Sequence, residues 1–169
     1  MSFGGNDQKN LSGVEGLAQE IGKQHPFSHP EIELYLNLIR SAEHLSIQLD
    51  ALFKDHGISQ TQYNALRILR GHGVPVASGL VARQMVTRAP DITRLLDRLA
   101  KLGLIERNRS SDDRRVRLAQ LTPEGEALLA QLDAPVLEMH KRQFEHMSRD
   151  EIVKANAIIA RLRSASSES

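Results

Sequence analysis

There is no cysteine in this 169-residue chain, which excludes disulfides, a thiolate metal site and a thiol redox sensor. There is no tryptophan either, and aromatic residues make up only 4%. A core must therefore come from Leu, Ile, Val and Ala, which suits helical packing, and the length fits one domain. No apolar run approaches the roughly 18 residues that a membrane-crossing helix needs. The first residues lack the basic-then-apolar pattern of a signal peptide, so the cytoplasm is the expected compartment. No glycine-rich phosphate loop, nucleophile elbow or metal-ligand set is present, so neither enzymatic activity nor a cofactor is expected. His25 and His29 are four apart, but Pro26 spoils a helical pair and no carboxylate cluster joins them, so no metal site is expected.

An excess of one charge is also missing from the whole, which carries a net +1. It is present locally. Arg83 to Arg117 holds ten Lys or Arg against five Asp or Glu, while the remainder holds twelve against sixteen. A basic segment inside an otherwise acidic chain is the electrostatic footprint of a nucleic-acid binder.

Apolar spacing divides the chain. Residues 1–28 have only a weak helical pattern between Leu11 and Ile21 and read as a flexible arm. Pro30 to His56 repeats Ile32, Tyr35, Leu36, Ile39, Ala42, Leu45, Leu49, Leu52 and Phe53 at threes and fours, a long helix. Ser59 and Gln62 form a capping-box pattern for a second helix reaching Arg70. A third helix is predicted over Ser78 to Met85, a turn at Thr87-Arg88-Ala89, and a fourth helix from Pro90 to Leu102, stopped by Gly103. Pro123 to His146 is a fifth helix, which Pro135 should kink. Ser148-x-x-Glu151 opens a sixth, and residues 165–169 should fray.

Between the fourth and fifth helices lies RNRSSDDRRVRLAQLTPEG, Arg107 to Gly125. It reads as a basic hairpin with strands Leu104–Arg109 and Arg115–Leu121, turn residues at Ser110 to Asp113, and an apolar face of Val116, Leu118 and Leu121. Thr122 caps the following helix and Pro123 takes its first position. A charged hairpin directly after a helix-turn-helix is a wing. In such a pair the second helix lies in the major groove with its N-terminal residues at base edges. That places Arg88, Asp91, Thr93 and Arg94 at or near DNA, with Arg98 one turn further. Arg suits guanine and Thr the thymine methyl. Ile92, Leu95, Leu96 and Leu99 face the core. For Asp97 an ion pair is the preferred reading.

Asp113-Arg114-Arg115, then Leu121-Thr122 and Gly125, resembles the wing signature of the MarR (multiple antibiotic resistance regulator) family. Ile92-Thr93-Arg94-Leu95-Leu96-Asp97-Arg98-Leu99, followed by Lys101 to Arg107, is similar to that family's recognition helix and first wing strand. The resemblance runs in order from about Glu31 to Arg163. It implies a mainly α fold with a small β-wing, a winged helix-turn-helix dimeric through its N- and C-terminal helices. The implied domain spans 29–164, with a DNA-binding lobe at about 59–122 and dimerisation helices at about 30–56 and 123–163. By the same resemblance Arg115 enters the minor groove and Asp113 orients it. Arg114 and Arg117 read equally as phosphate contacts or exposed strand residues.

The implied function is sequence-specific binding of double-stranded DNA at an inverted repeat by a homodimer, as a repressor released by a small ligand. The alternative is a winged-helix module that binds protein or RNA without ligand response. The resemblance also implies an effector pocket where the dimer helices meet the DNA lobe. His44, Gln48, Tyr63 and Arg67 are the candidate lining for a small aromatic anion, although each also reads as an ordinary surface or core residue. Without cysteine, the thiol-based peroxide sensing of some relatives is excluded. Without tryptophan, the chain departs from the urate-responsive ones.

Overall fold

The computed structural model describes residues 16–110, 113 and 115–165. The chain divides into two compact units, Met1–Ser46 and Ile47–Ser169. In the first, α1 covers only Leu17–Glu20, and α2 begins at Pro30 and runs to Asp55 in the second unit. Part of the expected arm, residues 1–15, lies outside the described residues. Arg40 bonds Glu20 at 2.9 Å, while Ile32, Leu34, Tyr35 and Ile39 of α2 are exposed.

In the second unit the order is α3 (Gln60–His72), β1 (Val76–Ala77), α4 (Ser78–Gln84), α5 (Ile92–Lys101), β2 (Ile105–Arg109), β3 (Arg117–Leu121), α6 (Pro123–Gln143) and α7 (Arg149–Ala165). The protein is mainly helical with one antiparallel sheet of order β1-β3-β2, the winged helix-turn-helix expected from sequence. Its local grammar is as read. Ser59 and Gln62 exchange both capping-box bonds at the start of α3. Gly103 takes φ +72 after α5, and the Leu104 N–H returns to the Leu99 carbonyl at 3.1 Å, closing the helix with a Schellman turn. Ser148 and Glu151 cap α7 reciprocally.

Some details differ from the sequence reading. Helix α5 starts at Ile92, because Asp91 is its N-cap and accepts the Arg94 N–H at 2.9 Å. With Asp91 as the cap, Pro90 precedes the helix and does not take its first position. A short third strand, Val76–Ala77, joins the wing, with Val76 opposite Ala119 and Ala77 opposite Leu118. In β3 the fully core-facing residue is Ala119, 1% exposed, while Leu118 and Leu121 are half-buried. A small residue gives a weak periodic signal, which the larger Val116 and Leu118 outweigh in the sequence pattern.

Phe53, Leu66, Leu69, Leu96, Leu99, Leu129 and Leu132 form the core of this unit. Phe53 stacks on Tyr63 with ring centroids 4.4 Å apart. Helix α7 has no buried side chain among its described residues, although Val153, Ile158, Ile159 and Leu162 are apolar and exposed. An amphipathic helix that long normally buries its apolar stripe against something. Among the described residues no helix is long and apolar enough to cross a membrane.

Candidate nucleic-acid interface

Helix α5 presents two chemically opposite faces. Leu96 and Leu99 are 0% exposed in the core. Thr93, Arg94 and Arg98 are exposed on the other side, and Arg88 and Asp91 are exposed just before the helix. Asp91 combines its exposed position with the capping bond to Arg94. The helix N-terminus, with its outward backbone donors, therefore lies beside two cationic side chains, an arrangement that suits a phosphate backbone. The turn between α4 and α5 is tethered from behind. Asn64 Oδ1 accepts the Val86 N–H at 2.9 Å, and His72 Nε2 lies 2.8 Å from Gln84 Oε1. Sequence reading passed over Asn64, because nothing local marks a bond that spans 22 residues.

The wing strands β2 and β3 pair from Ile105↔Leu121 to Arg109↔Arg117. At the tip the Ser110 N–H bonds the Val116 carbonyl at 3.0 Å, and the Val116 N–H bonds the Asp113 carbonyl at 2.9 Å. The Asp113 carboxylate accepts the backbone N–H of Arg115 at 2.9 Å. It thus orders the tip through the main chain, an Asx-type turn, where sequence reading expected it to hold the guanidinium. Arg115 is exposed. Arg114 and Asp112 lie outside the described residues. Asp97 does form an ion pair, with Arg107 at 2.5 Å, and Arg117 stands 3.9 Å from the same carboxylate.

The base of the wing is joined tightly to α6. Thr122 Oγ1 donates to the Gly103 carbonyl at 2.7 Å and accepts the Gly125 N–H at 3.1 Å. A Cβ added at Gly125 would collide with the Leu104 carbonyl oxygen. The glycine of the wing signature is therefore a packing requirement.

Of the four effector candidates, Gln48, Tyr63 and Arg67 lie in the second unit. His44 belongs to the first unit and is exposed. Gln48 accepts a 3.4 Å bond from Gln143. Tyr63 and Arg67 lie one turn apart on α3, and Arg67 already bonds Asp133 of α6 at 3.0 Å. Arg70 grips the same carboxylate at 2.9 and 2.6 Å. These hydrogen bonds hold the Asp133 carboxyl below the usual carboxylate range and raise Arg70. A depressed carboxylate pKa stabilises the fold above the ordinary carboxylate value, and that stabilisation is lost as pH falls through the depressed one. A cleft of about 470 Å³ lies between the end of α3, the wing strands and the start of α6, with Arg70, Glu106 and Glu126 on its wall. None of the four effector candidates lines it.

The model of the MarR family matches residues 58–116, from the residue before the α3 cap to the wing tip. The solved MarR transcription factor of Planctomyces limnophilus is 36% identical, aligned over 80% of this chain and 98% of that one, with a TM-score of 0.62. The chain belongs to the MarR family. Among curated proteins, the HTH-type transcriptional regulator FarR of Neisseria gonorrhoeae is 27% identical over 137 residues, 81% of this chain and 93% of that protein. A mutant MarR from E. coli, solved in complex with operator DNA, shares the fold with a TM-score of 0.71 at 21% identity, covering 88% of this chain and 99% of that one. The MarR-family match thus centres on the lobe that carries α4, α5 and the wing.

Proposed function

We propose that this MarR-family chain is a repressor that binds double-stranded DNA sequence-specifically as a homodimer, on an inverted repeat. The observation that carries the reading is α5: Leu96 and Leu99 buried on one face, and Thr93, Arg94 and Arg98 exposed on the other, beside a basic wing. That the E. coli MarR of the same fold was solved with operator DNA supports the DNA-binding reading. The uncovered apolar side chains of α2 and α7 support a two-fold partner.

The test is a titration of duplex DNA at several salt concentrations. Neutralised phosphates release counterions, so affinity should fall steeply as salt rises. A constant that stays flat would remove the DNA reading. Arg94→Ala should cost about 1–3 kcal/mol and relax specificity at one base position. An equal loss on every sequence would make Arg94 a phosphate contact. Arg115→Ala should weaken operator binding while the melting temperature holds, because a hairpin tip buries little. Asp113→Ala should give a smaller loss through a less ordered tip. Affinity unchanged in Arg115→Ala would take the wing out of the interface.

The inducer, on this reading, is a small aromatic carboxylate. It would stack near Tyr63 and compete with Asp133 for Arg67. A coupling of about 1–3 kcal/mol suffices to release DNA. A thermal-shift panel of aromatic acids, followed by operator titration, tests it. Compounds that stabilise the protein without changing DNA affinity would contradict the role.

A further inference from the structure

One arginine of the basic segment is withdrawn from the surface. The Arg107 side chain, on β2, is 7% exposed. Its Nη1 donates to the Thr93 carbonyl at 3.2 Å and to Asp97 Oδ1 at 2.5 Å, both on α5. Its Nη2 donates to Ser78 Oγ at 2.9 Å, at the first residue of α4. The Ser78 hydroxyl passes the connection on, donating to the Arg117 carbonyl of β3 at 3.2 Å. One guanidinium plane thus ties both helices of the helix-turn-helix to both strands of the wing.

We propose that Arg107 is a positioning residue for DNA reading, which fixes the orientation of the recognition helix relative to the wing. The inference rests on the DNA-binding reading above. Apolar contacts between a helix and a strand tolerate sliding. A rigid fork of donors on fixed acceptors does not. The arrangement also has a cost, since the Nε hydrogen is buried without a partner, and an apolar side chain would avoid that penalty. Geometry explains what the arginine supplies in return. The helix must sit in the major groove while the wing tip reaches the adjacent backbone or minor groove, so an error in the angle between them spoils both contacts on the correct sequence. Non-specific binding, which depends on the surface cations alone, does not need that angle.

The test uses the full-length protein and two duplexes, the best binder recovered from a random pool and a scrambled one. Arg107→Lys keeps the charge but cannot reach all three acceptors. Asp97→Asn removes the carboxylate, and Ser78→Ala, at a half-buried site, removes only the hydroxyl relay should either of the others fold poorly. Each should lower affinity for the selected duplex, by about tenfold for the first two, and leave the scrambled duplex unaffected. The salt slope should not change, whereas loss of a phosphate contact would reduce it by about one. Equal losses on both duplexes, a lower melting temperature with the parent's discrimination, or parental binding throughout would each overturn the proposal. A parent that discriminates between no sequences would instead overturn the DNA-binding reading, and this inference with it.

Discussion

Among the described glycines, replacing Gly125 with alanine is expected to damage the protein more than the same change elsewhere. The new Cβ would collide with the Leu104 carbonyl oxygen and stand 2.9 Å from Leu121 Cδ1. The second contact could be relieved by a rotamer change. The first is with backbone, so either the wing strand or the first turn of α6 must move. Overpacking of this kind costs about 1–3 kcal/mol, and a clash with main chain belongs at the upper end. For a chain of this size that lowers the melting temperature by roughly 6–12 °C. Gly71→Ala is the control, since it lies within α3 with nothing within 4 Å of its added Cβ. It should be stabilising by about 0.5–1 kcal/mol. Thermal melts of both variants decide the point, and Gly125→Ala melting with the parent would contradict the close approach.

The second large effect concerns α7. Deleting residues from Ser148 onward should leave a monomer or an insoluble product, because α7 carries Val153, Ile158, Ile159 and Leu162, four of the large apolar side chains that stay exposed in the second unit. The core of that unit, from Phe53 to Val136, contains no α7 residue. Linking two half-site contacts multiplies affinity by about 100-fold or more. A soluble truncated chain should therefore lose at least that much on an inverted repeat while keeping weak binding to a half-site. Light scattering with operator titration reads both. A truncated dimer that binds like the parent would place the partner contact elsewhere.

What could be read in the sequence was local. The capping boxes at Ser59 and Ser148, the Gly103 stop, the Thr122-Pro123 start and the two faces of α5 follow from residues within one or two turns of each other. The wing followed from turn chemistry between two short apolar runs. Long-range bonds were not legible. Arg107 reaches 29 residues back to Ser78, and Arg70 reaches 63 forward to Asp133. In sequence each is only one more cation. The Asp113 carboxylate was correctly placed at the tip, but its bond to the Arg115 main chain depends on backbone angles that residue type does not fix. Ala119 faces the core unannounced, because a methyl side chain contributes little to any periodic pattern. In sequence the effector candidates are marked only as polar residues on helices, whereas in the structure Arg67 is engaged with Asp133.

The most direct measurement is selection of the full-length protein on a pool of random duplexes, with the recovered sequences aligned. The account predicts an inverted repeat whose half-sites are centred about one helical turn, roughly 10 bp, apart, with Arg94→Ala losing preference at one symmetric pair of positions. Recovery of no common sequence, or of a single asymmetric site with no repeat, would contradict it.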